Sequence, residues 1–357
     1  MNLAATCGKL IMGGFPGTSL PPHLARALHE GRRGGVILFR PNLEGGPAQI
    51  ASLTRAVWRQ SPDAPLIGID QEGGRVARLR GPWLAVPPMA TVASWGNVDL
   101  AHRIAMAVGR ELGAAGITMN FAPVLDVNTC PTNPVIGDRA FGTGALAVER
   151  FGLAWLRGLQ KVGLLACGKH FPGHGDTTKD SHVDLPVVDQ PLERLERVEM
   201  APFRAAAAAS VAALMTAHVV YTAIDRDRPA TLSPAACTDA RRRIGFDGLL
   251  VSDDLEMQAI AARWSIEEAA VQAVAAGCDL LLVCWSEEKQ EAALQALVRE
   301  AERSSAFRAR CEEARARTAA ARERIASRPP DDDGVRRALE SAESRAIAAE
   351  MARRTAP

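Results

Sequence analysis

The residue types best suited to chemistry crowd into one segment. From Lys169 to His182 the chain reads K-H-F-P-G-H-G-D-T-T-K-D-S-H, with three histidines and two aspartates within 14 residues. Imidazole titrates near neutral pH, can give and take a proton, and can bind a metal. His170 and His174 stand four apart, which gathers metal ligands on a helix. Pro172, Gly173 and Gly175 oppose a helix there, so a metal-dependent hydrolase is the weaker reading. Asp180 and His182 are two apart, so in extended chain both side chains project to one side. A carboxylate accepting the proton of one ring nitrogen fixes the tautomer and raises the basicity of the other. His182 is therefore a candidate proton donor and acceptor. Spacing alone leaves open two plainer roles, histidines held by backbone and Asp180 capping a turn.

A second candidate is the pair Asp253-Asp254, which ends the apolar run Gly248-Leu249-Leu250-Val251 after Ser252. Adjacent strand residues face opposite sides, so at most one aspartate is expected to enter a site and the other to cap the following helix. A carboxylate on a rigid strand end needs no deprotonation at neutral pH and can attack an acetal carbon. The ester it forms splits one displacement into two. The competing reading makes both aspartates structural.

These groups need elements to hold them. Apolar runs too short for helices recur at Leu10–Gly13, Gly35–Phe39, Pro65–Asp70, Ile117–Phe121, Leu164–His170, Ala213–His218, Gly248–Asp253 and Asp279–Trp285. Helically spaced stretches separate them, among them Pro22–Gly31, Leu100–Leu112, Ala145–Leu159, Leu192–Ala208 and Glu267–Ala276. Alternating elements imply a parallel sheet covered on both faces. Eight of each is the count of an α/β protein with a closed (β/α)8 TIM barrel; a doubly wound open sheet is the competitor. Catalytic groups in such barrels sit at the C-terminal ends of strands. Five of the eight runs end in or beside Asp70, Asn120, Lys169-His170, His218 and Asp253-Asp254, polar groups directed to one rim. Turn chemistry alone would favour Gly, Ser or Asn. The barrel is expected over residues 1–301. An Arg- and Ala-rich helical or partly disordered extension follows over 302–357, interrupted at Pro329–Gly334 and with one more helix over Arg337–Arg353.

Composition narrows the function. The 357 residues carry 42 Lys+Arg against 41 Asp+Glu, so no basic face for nucleic acid is expected. No apolar run reaches the roughly 18 residues of a membrane span. A hydrophobic share of 47% excludes global disorder, and 4% aromatic residues make stacking platforms scarce. Seven scattered cysteines, with no C-x-x-C pair, argue against a disulfide framework and a cysteine zinc site. Residues Met1–Lys9 lack the pattern of a secretory leader, so a reduced, cytoplasmic protein is expected.

The stretch Lys169–Pro186, K-H-F-P-G-H-G-D-x-x-x-D-S-H-x-x-L-P, closely resembles the signature of bacterial β-N-acetylhexosaminidases of glycoside hydrolase family 3. So do G-I-D-Q-E-G-G-R-V-A-R over Gly68–Arg78, N-F-A-P-V-L-D-V over Asn120–Val127, R-A-F-G over Arg139–Gly142, Gly245–Gly248 and S-D-D-L-E-M over Ser252–Met257. The blocks stand in family order. The resemblance implies a (β/α)8 barrel and retaining, exo-acting removal of terminal β-linked N-acetylglucosamine, without cofactor or metal. It implies Asp253 as nucleophile and His182, oriented by Asp180, as general acid/base. Asp70 and Arg78 would hold sugar hydroxyls and the acetamido group, with further contacts from Arg139, Lys169 and His170.

A histidine in the acid/base role departs from the usual carboxylate pair. Some relatives of this type use phosphate instead of water, so a phosphorylase is the alternative acceptor chemistry. A β-glucosidase or xylosidase, lacking the D-S-H loop, and a silent sugar-binding protein are further alternatives. Phe39-Arg40-Pro41-Asn42 departs from the family's F-x-R-N near the rim. The large second domain of many members is not expected here. Single-domain relatives act in the cytoplasm on N-acetylglucosamine–anhydro-N-acetylmuramic acid fragments during cell-wall recycling. The implied partner is thus a small muropeptide or other GlcNAc-terminated saccharide, not nucleic acid or membrane, and a monomer is expected.

Overall fold

The structure, a computed structural model, describes residues 2–178, 181 and 184–355. Eight parallel strands close into a barrel: β1 Ile11–Gly13, β2 Gly35–Leu38, β3 Leu66–Ile69, β4 Met119–Asn120, β5 Leu165–Phe171, β6 Ala213–Thr216, β7 Leu249–Asp254 and β8 Leu280–Val283. Ile11 of β1 lies opposite Leu281 of β8, which shuts the ring. All eight fall on the expected apolar runs, and the open sheet is ruled out. Their side chains are buried on both faces because helices cover the outside and packed residues fill the inside. Met12, Leu66, Met119, Leu165, Val251 and Leu282 belong to that inner cluster.

Helices follow the strands with sequence-encoded ends. Asn97 accepts from the Leu100 amide at the start of Val98–Ala114, and a Ser265/Glu268 capping box opens Ile266–Ala276. Leu192–Ala208, expected as one helix, is two, Leu192–Arg197 and Ala201–Ala208. Pro202 explains the break: it has no amide for a helix interior but suits the second helix's first turn.

Beyond residue 302 the chain is helical over Ser305–Glu323, Asp332–Leu339 and Ala342–Thr355. The Pro329–Gly334 interruption ends earlier than expected, because Asp331 accepts from the Gly334 amide and caps a helix beginning at Asp332. Arg337–Arg353, expected as one helix, is divided between the last two. Ala321 and Ile325 join the inner cluster, and Arg322 donates to the carbonyls of Ala64, at 2.6 Å, and Gly34. Those carbonyls precede β3 and β2, so the extension stoppers the end of the barrel opposite the strands' C-termini. No helix among the described residues is long and apolar enough to cross a membrane.

Candidate active site

At the C-terminal ends of the strands lies a cavity of about 560 Å3. Its apolar floor is the top of the inner cluster, including Ile37, Phe121 and Met215. Its walls carry Asp70, Arg78, Arg139, Lys169, His170 and Asp253, so six of the eight residues singled out from sequence meet in one space. The other two, Asp180 and His182, lie outside the described residues.

Asp70 follows β3, and Lys169 sits near the end of β5. The Lys169 ammonium donates to Asp70 Oδ1 at 2.7 Å and lies 2.6 Å from Glu72 Oε1. Arg78 donates to the other Asp70 oxygen at 3.1 Å. Arg139 forks onto Glu72 with two bonds of 2.9 Å. Burial pushes both carboxyls up, but the cations outweigh it and hold them below the ordinary carboxylate range. Lys169 and Arg139 are correspondingly held as cations, against the burial that disfavours their charge. The result is a rigid, alternating-charge wall suited to gripping hydroxyl and amide groups.

His170 donates from Nδ1 to Asp126 Oδ2 at 2.7 Å, which leaves Nε2 as its acceptor nitrogen in the neutral ring. Asp126 also accepts the His170 and His174 amides, at 3.0 and 2.6 Å. His174 is bonded to Thr177 at Nδ1 and to Ser181 at Nε2, both at 3.0 Å. Burial, with the nearby His170, pushes its pKa down to about 4, so it is neutral at pH 7 and engaged on both sides. Among the described residues no three His, Cys, Asp or Glu side chains are grouped as a metal would require.

Asp253 closes the opposite wall. Burial raises its carboxyl; the His218 and His170 imidazoles, the Asp254 amide at 2.8 Å from Oδ1 and the Lys169 ammonium outweigh that, and it stands below the ordinary range. His218 does not line the cavity. It is fully buried behind β7, donating from Nε2 to the Asp254 carbonyl at 2.9 Å and meeting the Thr231 hydroxyl at 2.8 Å. Asn120 likewise does not line the cavity and clasps the Gln71 backbone with two bonds, of 3.0 and 2.9 Å.

Asp254 departs from the alternation expected of a strand, since it too borders the cavity. Val251 pairs with Leu280 but Asp254 with Leu282, so three residue steps on β7 match two on β8 and the alternation breaks. It caps no helix; Oδ1 accepts the amides of Glu256, at 3.1 Å, and Cys284, at 3.3 Å. Burial is the main cause pushing its carboxyl up to about 7.

Glu72 and Asp126 were not distinguished as partners by sequence. Each lies in a block quoted above, yet its role depends on an ion pair made across 67 or 44 residues of chain, which no local pattern announces.

The family profile described as "Glycosyl hydrolase family 3 N terminal domain" matches residues 12–321. A β-hexosaminidase of Thiobacillus denitrificans is 40% identical over 286 residues, covering 78% of this chain and 79% of that relative. A glycoside hydrolase family 3 β-N-acetylglucosaminidase from Paenibacillus superposes with a TM-score of 0.91 at 40% identity, over 99% of this chain and 69% of the other. NagZ from Neisseria gonorrhoeae, in complex with N-trifluoroacetyl-D-glucosamine, gives a TM-score of 0.80 at 29% identity, over 97% and 98%.

Proposed function

The chain belongs to glycosyl hydrolase family 3 and is a β-hexosaminidase, and from that premise we propose a retaining exo-β-N-acetylglucosaminidase in which Asp253 is the nucleophile and Asp180 with His182 moves the proton. One observation carries the reading: an ionised Asp253 carboxylate on a strand end faces a wall of side chains suited to a sugar's hydroxyl and acetamido groups. The Asp70, Arg78, Arg139, Lys169 and His170 wall binds the terminal sugar and sets its anomeric carbon before Asp253.

The Asp253 carboxylate attacks the anomeric carbon as the glycosidic C–O bond breaks. Protonated His182 gives its proton to the departing oxygen, leaving a glycosyl ester on Asp253. Water then attacks the same carbon, neutral His182 takes its proton, and the ester bond breaks to restore the carboxylate. Two inversions return the β configuration. Neutral imidazole adds no negative charge beside Asp253, which a second carboxylate would.

The substrates assigned are N-acetylglucosamine–anhydro-N-acetylmuramic acid fragments of cell-wall recycling in the cytoplasm, with a single protomer sufficient for the reaction. Support comes from the likeness over nearly the whole chain to NagZ in complex with an N-acylglucosamine. Water is the acceptor in this reading.

Asp253→Ala and His182→Ala should each lower hydrolysis of p-nitrophenyl N-acetyl-β-glucosaminide by roughly a thousandfold or more, with circular dichroism unchanged. Full activity in either folded variant removes that residue's role. EDTA should have no effect, and a muropeptide digest should yield free N-acetylglucosamine with or without phosphate. A glycosyl phosphate product would identify a phosphorylase.

A further inference from the structure

Sixteen aromatic residues are few for a chain of this length, and one is placed where packing does not call for it. Trp285 lines the mouth of the cavity and is 58% exposed. The other large apolar side chains exposed to that degree among the described residues, Leu146 and Val187, do not border the cavity. An indole left in water forgoes a large burial gain, so its position calls for an explanation.

The local structure holds Trp285 there. It follows β8 and immediately precedes Ser286, whose side chain accepts from the Lys289 amide and caps helix Glu287–Arg303. A residue so placed commonly packs on the fourth helical position as a hydrophobic staple. That position here is Gln290, which turns inward to the carbonyls of Gly14, at 2.8 Å, and Val283, at 3.1 Å. Trp285 instead stacks on Phe39, with ring centroids 4.5 Å apart and planes 26° apart. Its backbone amide donates to Glu256 at 2.6 Å, so the stack is also anchored from the turn that follows β7. Phe39 in turn touches the Arg78 guanidinium, which lies over its ring 5.5 Å from the centroid. The same Arg78 bonds Asp70 in the polar wall. A two-ring stack thus runs outward from the sugar-binding wall to the solvent.

We propose that Trp285, backed by Phe39, is the platform of a second sugar subsite, stacking on the apolar face of the pyranose attached through the scissile oxygen. The inference rests on the assignment of Asp253 as nucleophile. In a retaining displacement the leaving group departs from the face opposite the nucleophile. With Asp253 on a strand end in the wall, the departing sugar points outward to the mouth. A pyranose offers a face of C–H groups there, and an aromatic ring covers it without demanding any particular hydroxyl pattern. Disaccharides are therefore favoured over glycosides whose leaving group has no ring.

Trp285→Ala and Trp285→Phe should be compared with the parent on N,N′-diacetylchitobiose and on methyl N-acetyl-β-glucosaminide. The alanine variant should lose about tenfold in kcat/KM on the disaccharide, mainly through KM. Its rate on the methyl glycoside should stay within about twofold, which also reports that the variant is folded. Phenylalanine should restore most of the disaccharide rate. Equal losses on both substrates, or no loss on either, would overturn the platform. Failure of the parent protein to cleave either glycoside would instead strike the catalytic assignment.

Discussion

At the scale of single residues, the site is an exercise in keeping buried charges balanced. Lys169 bridges Asp70 and Glu72, while Arg139 takes up both oxygens of Glu72. Each ion repays its desolvation through close partners, and removing one would leave another buried and unpaired. Asp254 is the exception, with burial rather than a cation governing its carboxyl. Its pKa of about 7 in the folded protein lies well above the ordinary carboxylate value of the unfolded chain. Between those two pH values the folded state holds a proton that the unfolded state has released. The associated stability is complete below the ordinary carboxylate range and is lost as pH rises to about 7. Asp254→Asn carries no such proton. In urea melts from about pH 4 to pH 8, the parent should therefore lose on the order of 3 kcal/mol relative to this variant. A difference independent of pH would show that burial of Asp254 does not govern its ionisation.

At the scale of elements, the loop leaving β5 is seated before it reaches Asp180 and His182. Cys130 donates its amide to the Gly175 carbonyl at 3.1 Å, Asn133 donates to the His174 carbonyl at 2.9 Å, and Tyr221 donates to the Gly173 carbonyl at 2.8 Å. Two glycines make this approach feasible. A Cβ on Gly175 would lie 1.7 Å from the Val127 carbonyl oxygen, and Gly173 has a φ of +140° against Glu199. Gly175→Ala must lift the loop from its seat while leaving the wall residues just beyond β3 and on β5 where they are. Its kcat should fall by about tenfold or more, because a small misplacement of a reacting group is costly, with KM changed much less. An unchanged kcat would show that the seat does not position the proton-transfer pair. The glycines are legible in sequence as breaks against a helix. That they permit contact with Val127 is not legible, since the partner lies more than forty residues upstream.

At the scale of the whole molecule, the barrel was the most legible feature. Strands buried on both faces read as continuous apolar runs, and a parallel sheet requires intervening helices, so periodicity alone located all eight. Long-range pairing was not legible. Neither Arg322 reaching Gly34 nor His218 supporting the Asp254 carbonyl leaves a local trace, because each depends on barrel closure. The bulge that brings Asp254 to the cavity defeated the alternation rule for the same reason: it is set by the register with β8. Polar strand ends were a better guide. Asp70, Lys169, His170 and Asp253 come from β3, β5 and β7 or the residue just beyond them, and a shared rim brings them together.

The central claim concerns one bond, an ester between Asp253 and the anomeric carbon of N-acetylglucosamine. A 5-fluoro N-acetyl-β-glucosaminyl fluoride slows hydrolysis of such an ester while its fluoride leaving group still allows it to form. After incubation, the intact mass should rise by one fluorinated N-acetylhexosaminyl group, and peptide mapping should place it on Asp253, with no adduct in Asp253→Ala. An adduct on another residue, or none while the unmodified glycoside is turned over, would contradict the account.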